Sequence, residues 1–564
     1  MVEEFPSASS TTVGVLARCS LQNSERDVHI VGKQYKLTLP IDLTPVQISK
    51  DVQIPVLLLS SWFKFILSLN LWHRLSGLEE PDDRRCKTQW ASFWSCFEKI
   101  MPNHRVFRLA RDGDLVLERT CAVLLHGDEG RTKKKSAIMV LNASSVLGFG
   151  TDVKNRRASI QSDYAKQDIN FKGNTWTTRF LLGVMPRGLY DPKKGDAEAF
   201  DRMTQALTDD MNEIVLNGAV SLKGERHWMM PVYVTGDWPF HQKAFHLSRT
   251  FGSVAKQPTS KAQSKGICFN CLADQEGYPF EDFESPNPRW RATIGQVSPF
   301  LTDPVFLQLP HDETLPTSII GLDLFHGFHL GAGKVFVSSC LVLVSEILEG
   351  SSVPKRFDSL HDCFFDWCRR RKQRPYIRKL SQETIKWLQT TDFPSGAWSK
   401  GSTTLCLLRF IVDFCTNKEQ EIRGTLLHTC FLAAVEIDSF FSKIYKEGVW
   451  IQGPKAIEIA GHGFMFLKLN GRVAFEAFES GRALFPFMPN LHRLHEFFFL
   501  MTDHVQKAGF CLSPVVWSNQ MAEDYIGKPS RVSRRVSSRL AVERTLQRSL
   551  AATHAHLREA GIIK

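Results

Sequence analysis

The sequence predicts an α/β chain with a mixed sheet in its first half, a large, mainly helical insertion, and a basic helical C-terminal tail. Three observations carry this. Short apolar runs suited to buried strands recur between residues 115 and 235. Helix-period segments are interleaved with them, and a long helix-period region follows. The charge is uneven: 564 residues carry 70 Lys+Arg against 59 Asp+Glu, a formal +11. Tyr525–Lys564 alone holds nine basic and two acidic residues.

With 43% hydrophobic and 23% charged residues the composition is globular and excludes wholesale disorder. Thirteen cysteines, several in apolar runs (Cys340, Cys406, Cys430), fit a reduced intracellular protein better than a disulfide framework. The start, Met-Val-Glu-Glu-Phe-Pro, has neither the basic nor the apolar region of a secretory signal. The apolar run Ile54–Trp72 is interrupted by Lys64, Asn70 and serines, so it reads as an amphipathic or buried helix and no membrane partner is expected.

Residues 1–114 read as a mixed, helical module, with a short strand near Gln34–Leu39 and tryptophan-bearing helices near Leu57–Leu75 and Thr88–Ile100. Residues 115–252 read as the first part of a catalytic core. Its strands are Leu115–His126, Ala137–Leu141, Thr178–Met185 and His227–Thr235. Between the third and fourth, Asp196–Asn217 has apolar residues at helical spacing; Trp238–Phe251 is a further helix. Residues 253–334 form a loop region suited to zinc, 335–508 the helical insertion, and 509–564 a last core strand, a catalytic helix and the basic tail.

Gly127-Asp128 and Gly236-Asp237 follow the first and fourth strands. Strand, strand, strand, helix, strand is the order of an RNase H-like sheet, in which the first strand is central and the fourth lies parallel beside it. Two carboxylates at adjacent strand ends can share a metal ion and serve two-metal phosphoryl transfer. The plainer reading is that both aspartates end strands in Gly-Asp turns.

The segments Val234-Thr-Gly-Asp-Trp-Pro-Phe-His, Cys268-Phe-Asn-Cys271 and Asp323-Leu-Phe-His326-Gly-Phe-His329 resemble, in order, the catalytic core of eukaryotic cut-and-paste DDE transposases, most of all the CACTA and Plavaka branch. The likeness covers roughly residues 115–335 and, less clearly, the chain from 485. It implies an RNase H-like fold, Mg²⁺- or Mn²⁺-dependent DNA cleavage and strand transfer, a nuclear location, and the pairing of DNA ends by a homo-oligomer. Carried over, Asp128 is the first acid and Asp237 the second. The third belongs on a helix after a fifth strand, for which Phe510–Trp517 serves. Glu523 is then the choice, with Asp524 its neighbour and Glu436 and Glu496 as alternatives.

Cys268 and Cys271 are half of a zinc site, which needs four ligands. His326 and His329 are the expected other half, giving a structural Zn²⁺; two reduced cysteines in a turn is the plainer reading. Gly331-Ala-Gly333-Lys334 is no Walker loop, because Phe328 and Val335 stand where glycine and Ser/Thr are needed. Arg369, Arg370, Arg371 and Lys372 open a run with seven basic residues in eleven, suited to DNA phosphates or nuclear import. Lys528, Arg531, Arg534, Arg535 and Arg539 follow Glu523 closely and make DNA the expected anionic partner. The alternative function is a nucleic-acid-binding protein that has kept the fold and lost catalysis; a scaffold with a basic tail is a weaker third.

Overall fold

Alternation of small and large apolar residues between 120 and 236 produces a five-stranded mixed sheet. The computed structural model describes residues 12–19, 24–133, 136–151, 167–251 and 265–564; the N-terminal Met1–Pro6 stretch lies outside them. A hairpin of β1 (Thr44–Ser49) and β2 (Val52–Val56) precedes the sheet. The sheet contains β3 (Thr120–Arg131), β4 (Ala137–Ser145), β5 (Phe180–Pro186), β6 (Ala219–Val220) and β7 (Arg226–Gly236), in the spatial order β5-β4-β3-β7-β6. β3 is central. It pairs antiparallel with β4 and parallel with β7, and the parallel pairing ends at Gly127↔Gly236.

Helices α1 (Leu59–Ser68) and α2 (Asp83–Ile100) come before the sheet. Trp62 donates to the Leu181 carbonyl and Trp94 to that of Thr120, so both helices are fastened to strands. The expected strand at Gln34–Leu39 is not formed: Ser24–Gln34 is helical and stops where Lys36 turns to φ 55°. The expected helix over Leu57–Leu75 breaks at Asn70, also at φ 55°. α3 (Ala199–Asn217) links β5 to β7 through the edge strand β6, burying Phe200, Met203, Leu207, Met211 and Ile214. α4 (Trp238–Ala244) follows β7 and is shorter than the predicted Trp238–Phe251, because His246 takes a left-handed conformation.

The region after residue 333 is helical, as its periodicity predicts: α5 (Gly333–Glu346), α6 (Val353–Arg370), α7 (Gly401–Thr416), α8 (Leu426–Ile444), α9 (Gly453–Glu479) and α10 (Pro489–Ala508). Between α6 and α7 the chain makes a single helical turn, Gln382–Ile385, ended by Lys386 at φ 53°. The helical stretch Phe325–Glu346 has a mean hydropathy of 1.6, and its most apolar window is 83% buried in the molecule, as befits a core helix.

One expectation for the sheet is corrected. Phe510–Leu512 (β9) pairs with Trp450–Gln452 (β8) in a separate two-stranded ribbon and is not a fifth strand of the main sheet. Pro514, with no N–H to donate, turns the chain into a 3₁₀ segment at once. Beside β7, Ile320 makes a single parallel bridge to Val234 instead. α11 (Gln520–Ser533) nevertheless lies on β3, and α12 (Ala541–Glu559) packs against β5. The basic C-terminal segment is therefore part of the molecule's body. Leu546 and Leu550 belong to the core cluster that begins at Leu39.

Candidate metal centres

Side chains two apart on a strand share a face, so His126 and Asp128 of β3 project together. Asp128 lies within β3, not after it, but one residue beyond the last parallel rung with β7. Asp237 is one residue beyond the same rung on β7. The glycines before them have a packing reason: an added Cβ would meet the Phe240 ring at 2.0 Å from Gly127 and 2.2 Å from Gly236. Phe240 in turn donates its N–H to Asp237 Oδ1 at 2.8 Å, so Asp237 caps α4 with one oxygen.

α11 delivers the third acid. A Cβ on Gly130 would lie 1.7 Å from Ser530 Oγ, so this glycine lets the helix rest on the strand. Ser533 Oγ donates to Thr132 Oγ1, and Arg534 to the Arg131 carbonyl. Two turns before Ser530 on the same face stands Glu523. Carboxylate oxygens of Asp128 and Glu523 and a nitrogen of His126 all lie within 4.8 Å of one another. Asp524 points elsewhere, accepting from Thr175 Oγ1 at 2.6 Å and pairing with Lys528 at 3.3 Å. Glu436 pairs with His462, between α8 and α9. Of the four acids considered, the structure brings only Glu523 to Asp128.

The pocket is electrostatically loaded. Burial, then the neighbouring Glu523, holds the Asp128 carboxyl well above the usual carboxylate range. Burial and the Asp128 charge push Asp237 up to about 7. Burial also raises Glu523, whose Oε1 has no hydrogen-bond partner. A further pair completes the site. His326 Nδ1 lies 2.5 Å from Asp323 Oδ2, and its Nε2 3.7 Å from Glu523 Oε1. Burial works against a charged ring, but Asp323 outweighs it and brings His326 up to about 9. An orphaned buried carboxylate oxygen and acids whose pKa values are raised by burial and by one another's charge are what a cation-binding site looks like without its cation. Asp128, Asp237 and Glu523 therefore suit a divalent metal.

The second centre corrects the expected zinc ligands. His326 is committed to Asp323, and His329 Nε2 meets the Tyr445 hydroxyl at 2.8 Å, so neither histidine reaches the cysteines. The partners come from α10: Cys268 Sγ lies 3.1 Å from Glu496 Oε1 and Cys271 Sγ 3.3 Å from His492 Nε2. These four ligand atoms all lie within 4.8 Å of one another, and all four residues are buried. The Asn270 N–H donates to Cys268 Sγ at 3.2 Å. Two sulfurs, an imidazole and a carboxylate are a fitting tetrahedral donor set for zinc. His492 and Glu496 stand four apart on one helix, a spacing the sequence displays but does not connect to residues 268–271. Between the centres, the fully buried Arg493 guanidinium stacks on Trp238, at 4.0 Å from the ring centroid, and on Phe251 and Phe269.

The basic residues divide. Arg369 pairs with Asp366 and Arg371 with Asp413, while Arg370 and Lys372 are exposed beside them at the end of α6. Lys528 is tied to Asn174 and Asp524. Arg531, Arg534, Arg535 and Arg539 are exposed on and after the C-terminal half of α11. No protein-family model matches the chain, and no curated protein matches it.

Proposed function

We propose that this chain is a metal-dependent DNA-cleaving and strand-transferring enzyme of the DDE transposase type, on an RNase H-like core interrupted by the helices of residues 335–508. The observation that carries the reading is that Glu523, from a helix of the distant C-terminal segment, comes within 4.8 Å of Asp128, while Asp237 ends the adjacent parallel strand near enough to feel the charge of Asp128 and to act on Glu523. Strand order supports it as well, since the central strand and its parallel neighbour hold the first two acids. Divalent ions held by these carboxylates would polarise the phosphodiester and activate its attacking and leaving oxygens. The chain's own groups fix the arrangement. The Asp237 cap pins one acid, the α11–β3 seam places Glu523, and the Asp323–His326 pair braces the far side. Exposed Arg531, Arg534, Arg535 and Arg539 begin two turns from Glu523, where a DNA backbone needs neutralising. With the Arg369–Lys379 run they also suit a nuclear protein. Zinc on Cys268, Cys271, His492 and Glu496 would pin the loop after α4 to α10 and so support the pocket wall. Joining paired DNA ends calls for more than one copy of the chain.

The test is nicking of supercoiled DNA with Mg²⁺ or Mn²⁺, beside Asp128→Asn and Asp237→Asn. Loss of cleavage by about 10²-fold or more in both variants is expected, since each removes an anchor for transition-state charge. Equal background from all three proteins overturns the enzymatic reading. Salt-sensitive DNA binding without cleavage would instead identify a nucleic-acid-binding descendant.

A further inference from the structure

His126 precedes the first acid by two residues, and no step above uses it. Its surroundings fix its chemistry. The side chain is buried at 4% exposure. Its Nδ1 lies 3.0 Å from Thr235 Oγ1 on the neighbouring strand. That hydroxyl has one hydrogen, directed to the Leu125 carbonyl at 3.1 Å. Thr235 must therefore accept from His126, which places the ring proton on Nδ1 and leaves a lone pair on Nε2. Nε2 is buried and has no hydrogen-bond partner. A proton on Nε2 would be a buried donor without an acceptor, so the geometry fits the neutral imidazole, the form that binds metals.

A neutral imidazole whose far nitrogen donates to a fixed oxygen, with the near nitrogen free, is the usual arrangement of a metal-bound histidine. A His126 ring nitrogen and oxygens of Asp128 and Glu523 lie within 4.8 Å of one another, and with Nδ1 committed to Thr235 the nitrogen open to an ion is Nε2. Donors about 2.1 Å from one ion lie about 3.0 Å apart when cis and about 4.2 Å when trans, so atoms within 4.8 Å of one another can close on one ion by side-chain adjustment. Leaving a buried acceptor unpaired is unfavourable, and a ligand bond would offset that cost.

We propose that His126 Nε2 is a third protein ligand of the divalent ion held by Asp128 and Glu523, and that this nitrogen donor makes the site prefer a first-row transition ion such as Mn²⁺ over Mg²⁺. Mg²⁺ is small and hard and holds to oxygen, whereas d-block ions accept imidazole readily. The inference rests on the acid cluster being a metal site. It does not require DNA cleavage, so the two readings fail separately. The competing explanation is a buried water on Nε2. A cavity of about 20 Å³ lined by His126, Asn142, Thr235, Asn519 and Ala522 has room for one.

The test is pulsed EPR of Mn²⁺ added to the full chain carrying ¹⁵N-histidine, with zinc left in place. One directly bound imidazole nitrogen is expected, lost in His126→Asn and kept in His326→Gln. In parallel, the Mg²⁺ concentration needed to displace Mn²⁺ should fall at least about tenfold in His126→Asn, the equivalent of about 1.4 kcal/mol. Absence of nitrogen coupling in the wild type overturns the proposal, as water on Nε2 would produce. Coupling that survives in His126→Asn overturns it too. If that variant does not fold, His326→Gln decides: a coupling lost there belongs to His326 and refutes the assignment to His126. Failure of Mn²⁺ to bind overturns this proposal and the acid site together, whereas Mn²⁺ binding without nicking overturns only the enzymatic reading.

Discussion

Asp323 and His326 form a buried pair, Nδ1 to Oδ2 at 2.5 Å, at the point where the chain crosses from the zinc-type centre to the acid pocket. Asp323 does more than hold the ring. Its other oxygen accepts the N–H groups of Phe325 and of Asn519, the residue that opens α11. One carboxylate thus sets both the imidazole facing Glu523 and the start of the helix that carries Glu523. Asp323→Asn should bring His326 down from about 9 toward its ordinary value, read by histidine NMR titration. It should also destabilise the fold by about 1–3 kcal/mol, because charge-assisted bonds to two buried N–H groups weaken. An unchanged His326 titration would refute the pairing.

Neighbouring acids on α11 should behave oppositely. Glu523→Gln should lower divalent-ion affinity at the acid site by about tenfold or more, since a buried charge facing Asp128 is removed. Asp524→Asn should leave that affinity within about twofold. It loses only the contacts to Thr175 and Lys528 at a partly exposed position, a stability cost of about 1 kcal/mol or less. Calorimetric titration of Mn²⁺ into each variant measures both. Equal losses would show that α11 is not oriented as described.

Local signals made much of this legible, and distance hid the rest. Short apolar runs and period-3.6 patterns locate the sheet strands and most helices, because strands buried on both faces read as continuous apolar runs and helices buried on one face as a stripe. The Gly-Asp pairs were visible, yet their glycines serve the Phe240 ring rather than a turn. The partners of Cys268 and Cys271 lie more than 200 residues away on α10, and nothing local relates the two segments. His326-x-x-His329 offered a nearer and misleading match. Phe510–Leu512 had a strand's composition but not its address, since pairing with β8 is a tertiary choice. His126 was readable in principle, being two residues from Asp128 on one strand face.

The raised acids give a pH dependence of definite sign. Asp237 has an ordinary value of 3.8 and about 7 in the folded chain, so between those values the folded state keeps a proton that the unfolded state releases. The Asp237 contribution to stability without Mg²⁺ or Mn²⁺ therefore falls as pH rises through that window, whereas buried histidines with lowered values, such as His104, His241 and His504 at about 3, contribute in the opposite sense below 6.5. Asp128 and Glu523, also raised, act in the same sense. His326 extends the fall from 6.5 to about 9. Asp323, held low by His326 against its burial, acts only at the acid end, losing its contribution below 3.8. In thermal unfolding without added Mg²⁺ or Mn²⁺, wild type should lose melting temperature relative to Asp237→Asn as pH rises from 5.5 to 8. Saturating Mn²⁺ should reduce or reverse the difference, because the ion replaces the protons. A difference between wild type and Asp237→Asn that stays the same across this range in the absence of Mn²⁺ would contradict the description of the acid site.

The Phe240 contact offers a test that leaves every ligand in place. Gly236→Ala puts a methyl 2.2 Å from Phe240 Cδ1 and 2.7 Å from the Gly127 carbonyl oxygen, distances no side chain tolerates. The ring must swing away, and with it the N–H that fixes Asp237 Oδ1. Overpacking of this kind costs about 1–3 kcal/mol. Because the strain falls on the cap of the second acid, metal affinity at the acid pocket should drop as well, although no acid has changed. Gly224→Ala is the control: it has open space around its Cβ position and lies at the far end of β7, in the turn from β6. It should cost stability through its positive φ of 78° and leave metal affinity as it is. Unfolding curves and Mn²⁺ titrations on the two variants separate the effects. Equal metal affinity in both would mean that Asp237 is not positioned through Phe240.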